Sequence, residues 1–294
     1  MFVIEVLLLY IPNEYSYKRD YMEQHINDIE CLLLGNSHIV EALDPSCMGE
    51  DIFNLAISGR ELIYDVELAK KYVPWMNNLK VLILPLDYFN FYFGREIDNP
   101  EDKMRPLGLE DTYKCMYYKY MGVRMGGFWC WSEFLNSKLD YLRRFTRSKE
   151  ENIECDSLGY IPLKLSNRSP NWRFTHLPHP IDISKNIDKQ QYEKLYLQYV
   201  TIAKLSKKSK IRIVLLGTPM YKTSQKYMSK VVDADIENFV HRLQKDFPNI
   251  EYYNYSYDPR FEDDDFHDAS HLTEVGAIKF SKIIKKEVLE GKVE

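Results

Sequence analysis

Four short segments carry the side chains of this sequence that could do chemistry together. They read Gly35-Asn36-Ser37-His38, Ser58-Gly59-Arg60, Leu86-Asp87 and Asp268-Ala269-Ser270-His271. A serine hydroxyl is a weak nucleophile until a base within hydrogen-bond reach takes its proton. We predict that His271 is that base for Ser37, and that Asp268 fixes the imidazole tautomer and stabilises its charged form. The backbone N–H groups of Ser37 and Gly59 would form an oxyanion hole.

The chain between these segments has the pattern of buried strands and amphipathic helices. Apolar runs predict strands at residues 31–34 and 81–86, and largely apolar segments predict strands at 52–57 and 211–216. Residues 250–255 are predicted as a fifth, edge-like strand, because their tyrosines suit a half-exposed face. The run at 81–86 is continuous. Such runs are typical of parallel strands covered by helices on both faces. Helical spacing of apolar residues predicts helices at 62–73, 190–205 and 236–243, and a last helix from Thr273 with Val275, Ile278 and Ile283 facing inward. The order predicts an α/β fold, a three-layer α/β/α sandwich around a roughly five-stranded parallel sheet.

The alternation of strands and helices stops between about residues 89 and 189. This stretch is too long for a plain loop, so we predict a largely helical insertion after the third strand. Ligands of open α/β sheets bind at the carboxyl ends of the strands. The insertion would leave the sheet at that edge, beside all four chemical segments, and would cover a bound substrate.

The N-terminal segment, residues 1–28, is predicted to lie apart from a single domain over residues 29–294. Its first twelve residues read MFVIEVLLLYIP. This apolar run is shorter than the roughly 20 residues that a membrane-spanning helix needs, and no basic region precedes it as in a signal peptide. We interpret it as the end of a signal anchor that tethers an extracytoplasmic protein of the cell envelope. The alternative is a strand or helix docked on a cytoplasmic domain.

Composition excludes several classes of protein. The net charge is −5, from 39 basic and 44 acidic residues, so the sequence has no electrostatic footprint for nucleic acid. Its five cysteines form no C-x-x-C pair, which argues against a zinc or redox motif. His176 and His179 could pair on a metal, but neither a carboxylate nor a cysteine neighbours them at ligand spacing. No phosphate-binding glycine motif follows any of the predicted strands. We therefore predict that the protein uses no metal and no cofactor.

The order of the four segments resembles that of the SGNH (GDSL-like) hydrolase superfamily. Gly35-Asn36-Ser37-His38 stands where the family has Gly-Asp-Ser, the second block is 54–59, and the last is 268–272. The resemblance covers residues 30 to about 88 and 211 to about 285. It implies a flavodoxin-like sheet and a serine-dependent esterase or O-acyltransferase that uses no cofactor. The first block and the apolar N-terminus look more like the divergent branch found in envelope polysaccharide systems, which implies a small-molecule or glycan acyl ester as substrate.

The third block departs from the family pattern. The family has Gly-x-Asn-Asp there, and its asparagine donates into the oxyanion hole, whereas this chain has Pro85-Leu86-Asp87-Tyr88. An ionised carboxylate has no proton to donate. Either Asp87 is protonated, or it points away and a donor such as Asn90 replaces it, or the chain is catalytically impaired and binds a glycan or an envelope partner. The resemblance favours His271 over the neighbouring His267 as the base.

Overall fold

The structure is a computed structural model, and it describes residues 10–88, 91, 109–124, 146–177, 189–207, 211–226 and 230–291. The chain forms two compact units. The first consists of Met1–Ile26 and Arg95–Asp156, and the second of Asn27–Gly94 and Ser157–Glu294. All five residues predicted for the site belong to the second unit. The predicted domain of residues 29–294 with its N-terminal segment stays a prediction.

The second unit is built on a five-stranded sheet. Its strands are Cys31–Leu33 (β1), Ile52–Asn54 (β2), Val81–Pro85 (β3), Arg212–Gly217 (β4) and Ile250–Asn254 (β5). All neighbouring pairs are parallel, and the order is β2-β1-β3-β4-β5. The predicted α/β fold with a five-stranded parallel sheet is confirmed.

Strand β2 ends three residues before the predicted position. The amide of Asn54 turns inward and donates to the carbonyls of Ile39 and Leu43, and its Oδ1 accepts from the N–H of Ala56. These bonds of the Asn54 side chain fix a turn of the backbone inside the segment 52–57, which was predicted as one strand.

Helices cover both faces of the sheet. The α-helices of the described residues are Glu14–His25 (α1), Ser37–Val40 (α2), Leu62–Tyr72 (α3), Leu109–Met121 (α4), Lys149–Asn152 (α5), Lys189–Lys207 (α6), Lys222–Gln225 (α7), Lys230–Asp246 (α8) and Glu274–Ile284 (α9). On one face, Leu33, Ile83 and Val214 of the strands share a core with Phe280 and Ile284 of α9. On the other face, α6 contacts α3, α8 and β4, and α8 contacts β5. The side chains of successive strand residues point to opposite faces of the sheet, so each strand contributes to the packing on both faces.

The orientation of α9 differs from the prediction. Val275 and Ile278 are 45% and 36% exposed, while Ala277 and Phe280 are buried. Gly276 explains the difference, because a Cβ at that position would lie 2.1 Å from the carbonyl oxygen of Asp265. The helix therefore packs closely against the preceding loop at Gly276. In this orientation Val275 and Ile278 face the solvent.

The first unit holds helices α1 and α4. Asn13 caps α1 in a reciprocal capping box with Ser16. Arg19 of α1 donates to the carbonyl of Tyr120 in α4 at 2.8 Å. The predicted anchor falls on residues 1–12, of which 1–9 lie outside the described residues. No helix among the described residues has the length and apolar character to span a membrane.

The predicted insertion, about residues 89–189, is described in part. It includes α4 and α5 and two single 3-10 turns, Leu165–Asn167 and Trp172–Phe174. The remainder of the insertion lies outside the described residues.

Candidate active site

The first site segment is a tight turn between β1 and α2. Gly35 adopts a φ of 134°, and a Cβ there would lie 2.5 Å from Cδ of Pro85, so the turn requires glycine. The N–H of Gly35 donates to Oδ1 of Asp65 at 2.9 Å. Asn36 caps α2 by accepting from the N–H of His38 at 2.9 Å. Together these contacts place Ser37 as the first residue of α2, at the carboxyl end of β1.

The second site segment is the loop before α9. Oδ1 of Asp268 accepts from the N–H groups of Ser270 and His271, both at 2.9 Å, so the carboxylate folds back on its own loop. Nδ1 of His271 lies 3.0 Å from each oxygen of Asp268, and Nε2 lies 2.9 Å from Oγ of Ser37. When Nδ1–H donates to the carboxylate, Nε2 presents its lone pair to the serine hydroxyl. This tautomer is the one that a general base needs.

The electrostatics of the pair match these roles. Burial raises the pKa of the Asp268 carboxyl, but the hydrogen bond and charge of His271 and the N–H of Ser270 outweigh it and hold that pKa well below its ordinary value. Burial lowers the pKa of His271, while Asp268, Glu41 and Asp87 raise it, and the net direction is upward. Asp268 therefore stays ionised, and His271 is a stronger base than an isolated imidazole.

Glu41 is a third carboxylate beside the serine that the sequence analysis missed. Its Oε2 lies 3.9 Å from Nε2 of His271, and its Oε1 accepts from Oγ of Ser58 at 2.6 Å. The spacing of four residues from Ser37 was the available signal, because it brings both residues to one side of a helical turn. The bond from Ser58 also ties the turn of Gly59, whose φ is 70°, to the end of α2. The oxyanion role of Gly59 stays a prediction.

Asp87 points at the residues on either side of Ser37. Its Oδ1 lies 2.6 Å from Nδ1 of His38, and its Oδ2 accepts from Nδ2 of Asn36 at 2.8 Å. Both carboxyl oxygens of Asp87 are thus engaged by the two residues that flank Ser37. Asp87 and His38 also line a small cavity with Thr218 and Ser256 at the carboxyl ends of β3 to β5. The alternative donor Asn90 lies outside the described residues.

His176 reaches the site from a distant part of the sequence. Its Nδ1 lies 2.9 Å from Oδ2 of Asp268, and its ring is 5.4 Å from that of His271, edge to face. The sequence suggested only a metal pair of His176 with His179, without a neighbouring carboxylate, so the contact with Asp268 was not predicted. His179 lies outside the described residues. The rejected base His267 has its Nδ1 3.8 Å from Oδ2 of Asp268, beyond hydrogen-bond distance.

The segment before His176 is fixed to the loop of Asp268. The N–H of Ala269 donates to the carbonyl of Thr175 at 3.1 Å. Arg168 donates to the carbonyls of Asp263 and Phe266 at 2.7 and 3.0 Å, and its guanidinium lies over the ring of Trp172. These contacts join the segment of residues 168–175 to the loop before α9, and they hold His176 beside the site.

Comparison with known proteins gives similarities of fold. No protein-family model matches the sequence, and no curated protein matches it. A solved structure from Streptococcus pneumonia, named for platelet activating factor, is 12% identical with a TM-score of 0.42 and covers 93% of this chain and 90% of its own. A GDSL-like lipase from Bacteroides thetaiotaomicron VPI-5482 is 11% identical with a TM-score of 0.41 and covers 95% of this chain and 100% of its own.

Proposed function

We propose that this chain is a serine-dependent esterase or O-acyltransferase. The observation that carries the proposal is one continuous hydrogen-bond chain. It runs from Oγ of Ser37 to Nε2 of His271 at 2.9 Å, and from Nδ1 of His271 to the carboxylate of Asp268 at 3.0 Å. Nucleophile, base and orienting acid thus stand within hydrogen-bond reach of one another, as acyl transfer through a serine requires.

The reaction follows from these positions. Oγ of Ser37 attacks the ester carbonyl while Nε2 of His271 takes its proton, and Asp268 stabilises the imidazolium that forms. The N–H groups of Ser37 and Gly59 would bind the developing oxyanion. His271 then gives its proton to the leaving alkoxide, which leaves an acyl group on Ser37. Water or a second hydroxyl attacks that ester with His271 again as the base, so hydrolysis and transfer differ only in the acceptor.

We further propose that the substrate is an acyl ester of a carbohydrate or an envelope polysaccharide, met outside the cytoplasm. The apolar N-terminus of the sequence supports a membrane tether. Cys115 is disulfide-bonded, while Cys31, Cys47 and Cys155 are free thiols. Structural disulfides persist mainly in oxidising compartments, and this supports an extracytoplasmic location.

A second candidate is a non-catalytic protein of the same fold that binds a glycan or an envelope partner. The observation that favours it is Asp87, which directs its two carboxyl oxygens at Asn36 and His38 and lacks the side-chain N–H that the asparagine of the family pattern would donate to the oxyanion. Loss of one such donor costs about 10²–10³-fold in rate, so this feature can weaken catalysis without abolishing it.

Release of p-nitrophenol from p-nitrophenyl acetate separates the two candidates. We expect turnover by the parent, a loss of about 10³-fold or more in Ser37→Ala and His271→Ala, and parent-like rates in the exposed control Ser166→Ala. Equal rates in the parent and Ser37→Ala would favour the binding protein. Addition of a sugar acceptor then divides the enzyme classes, because an acyltransferase yields acylated sugar and an esterase yields acetate alone.

A further inference from the structure

We propose that His176, Asp268 and His271 form a Zn²⁺ site that switches the serine off. This regulation rests on the function proposed above. Among the described residues, these three bring their ligand atoms within 4.8 Å of one another. Nδ1 of His176 and Oδ2 of Asp268 are 2.9 Å apart, and Nδ1 of His271 is 3.0 Å from the same oxygen. The donors therefore surround a common point next to Asp268.

The donor set and spacing suit Zn²⁺. Imidazole nitrogens bind this ion at about 2.0–2.1 Å and carboxylate oxygens at about 2.0–2.2 Å. Donor atoms around a tetrahedral ion are therefore about 3.3 Å apart, close to two of the three separations found here. To complete the site, His176 would move closer to the ion, and its side chain has room to do so because it is 70% exposed. Three protein ligands and one water complete an open zinc site, and two imidazoles disfavour Mg²⁺ and Ca²⁺, which prefer oxygen ligands.

The backbone at His176 supports a functional role for its position. It has a φ of 51°, the one positive value at a non-glycine residue among the described residues. This conformation costs free energy and persists only where the surroundings enforce it. Here the carbonyl of the preceding Thr175 accepts from Ala269 in the loop of Asp268, which holds the strained residue beside the carboxylate.

Occupation of the site would change the tautomer of His271. Without metal, its single proton lies on Nδ1 and faces Asp268, so Nε2 can accept the proton of Ser37. A neutral imidazole that binds Zn²⁺ through Nδ1 carries that same proton on Nε2 instead, and no proton is lost. Nε2 then donates to Oγ of Ser37 and cannot act as its base. Zinc would thus inactivate the nucleophile without covering it.

Two measurements on the full chain test this inference. In the first, the parent, His176→Ala and the exposed control His241→Ala compete with a chromogenic chelator for Zn²⁺. We expect one Zn²⁺ per parent chain, binding at least about tenfold weaker in His176→Ala, and parent-like binding in His241→Ala. No bound Zn²⁺ in the parent, or equal binding in His176→Ala, overturns the site.

The second measurement is the rate at which a fluorophosphonate labels Ser37 in Zn²⁺, divided by the rate of the same variant in EDTA. We expect this ratio to be about 0.1 or lower in the parent and close to one in His176→Ala at the same Zn²⁺ concentration. With Mg²⁺ in place of Zn²⁺, we expect a ratio close to one for the parent and for His176→Ala. Bound Zn²⁺ that does not slow labelling of the parent overturns the regulation. Absence of labelling even in EDTA overturns the proposed function, and with it the regulation, while the chelator competition still decides whether the metal site exists.

Discussion

Asp65 couples the turn before Ser37 to the stability of the whole protein. It lies in the first turn of α3, is 2% exposed, and accepts from the N–H of Gly35 at 2.9 Å. Burial raises the pKa of Asp65 from 3.8 to about 8, and the bond from Gly35 and the charge of Arg60 offset only part of that rise. Between pH 3.8 and about 8, the carboxyl group of Asp65 is therefore protonated in the folded chain and ionised in the unfolded chain.

The sign and size of the effect on stability follow by linkage. Between pH 3.8 and about 8 the folded chain holds one proton at Asp65 that the unfolded chain has lost. The free energy of unfolding therefore falls as the pH rises, by about 1.4 kcal/mol per pH unit. The contribution is fully present below the unfolded pKa and is lost by the time the pH passes the folded pKa. Over the whole interval it amounts to about 6 kcal/mol.

Urea unfolding of the parent and of Asp65→Asn between pH 5 and pH 8 measures this contribution. The amide keeps an acceptor for the N–H of Gly35 but does not ionise. We expect the variant to gain on the parent by about 1.4 kcal/mol per pH unit, which is about 3 kcal/mol between pH 5 and pH 7. The same series on Asp51→Asn, at an exposed position, is the control. If the difference in free energy of unfolding between the parent and Asp65→Asn does not change with pH, then Asp65 does not have a raised pKa in the folded chain.

Three further predictions concern the site and the first unit. Gly35→Ala should lower the free energy of unfolding by about 2 kcal/mol or more in urea, because of its positive φ and the close approach of Pro85. Gly49→Ala should cost much less, because a Cβ there would meet only the side chain of Ile52 at an ordinary contact distance of 3.5 Å, and equal losses would contradict this. Asp268→Asn should slow ester hydrolysis by about 10³–10⁴-fold while the chain stays folded, because it favours the wrong tautomer of His271, and a parent-like rate would exclude Asp268 from the mechanism. Thiol titration in denaturant should find three reactive cysteines before reduction and all five after it, whereas five before reduction would exclude the disulfide of Cys115.

The site segments could be predicted because their geometry is local. Asp268 and His271 are three residues apart, so one turn of loop suffices to bring the carboxylate to the ring. Ser37 follows a glycine at the end of an apolar run, which marks a strand end and a tight turn. That these segments meet follows from the parallel sheet, since the carboxyl ends of its strands lie at one edge.

The contacts of His176 and Asp87 could not be predicted in the same way. His176 is 92 residues from Asp268, and the intervening sequence has no pattern that sets their distance. The sequence shows that Asp87 lies at a strand end, but a carboxylate there can turn to any nearby donor, and packing selects Asn36 and His38. Two of the three inward residues predicted for α9, Val275 and Ile278, were wrong, because only their apolar type marked them, while the close approach of Gly276 to the preceding loop decides the orientation. The third, Ile283, packs against the core as predicted.

Covalent labelling of Ser37 measures whether His271 activates this serine. The full chain would be treated with a fluorophosphonate, and the modified residue identified by mass spectrometry. We expect one adduct, on Ser37, that is absent in Ser37→Ala. In His271→Ala we expect it to form about 10³-fold or more slowly. A folded parent that takes up no label, or labelling of Ser37 at an unchanged rate in His271→Ala, would contradict this activation.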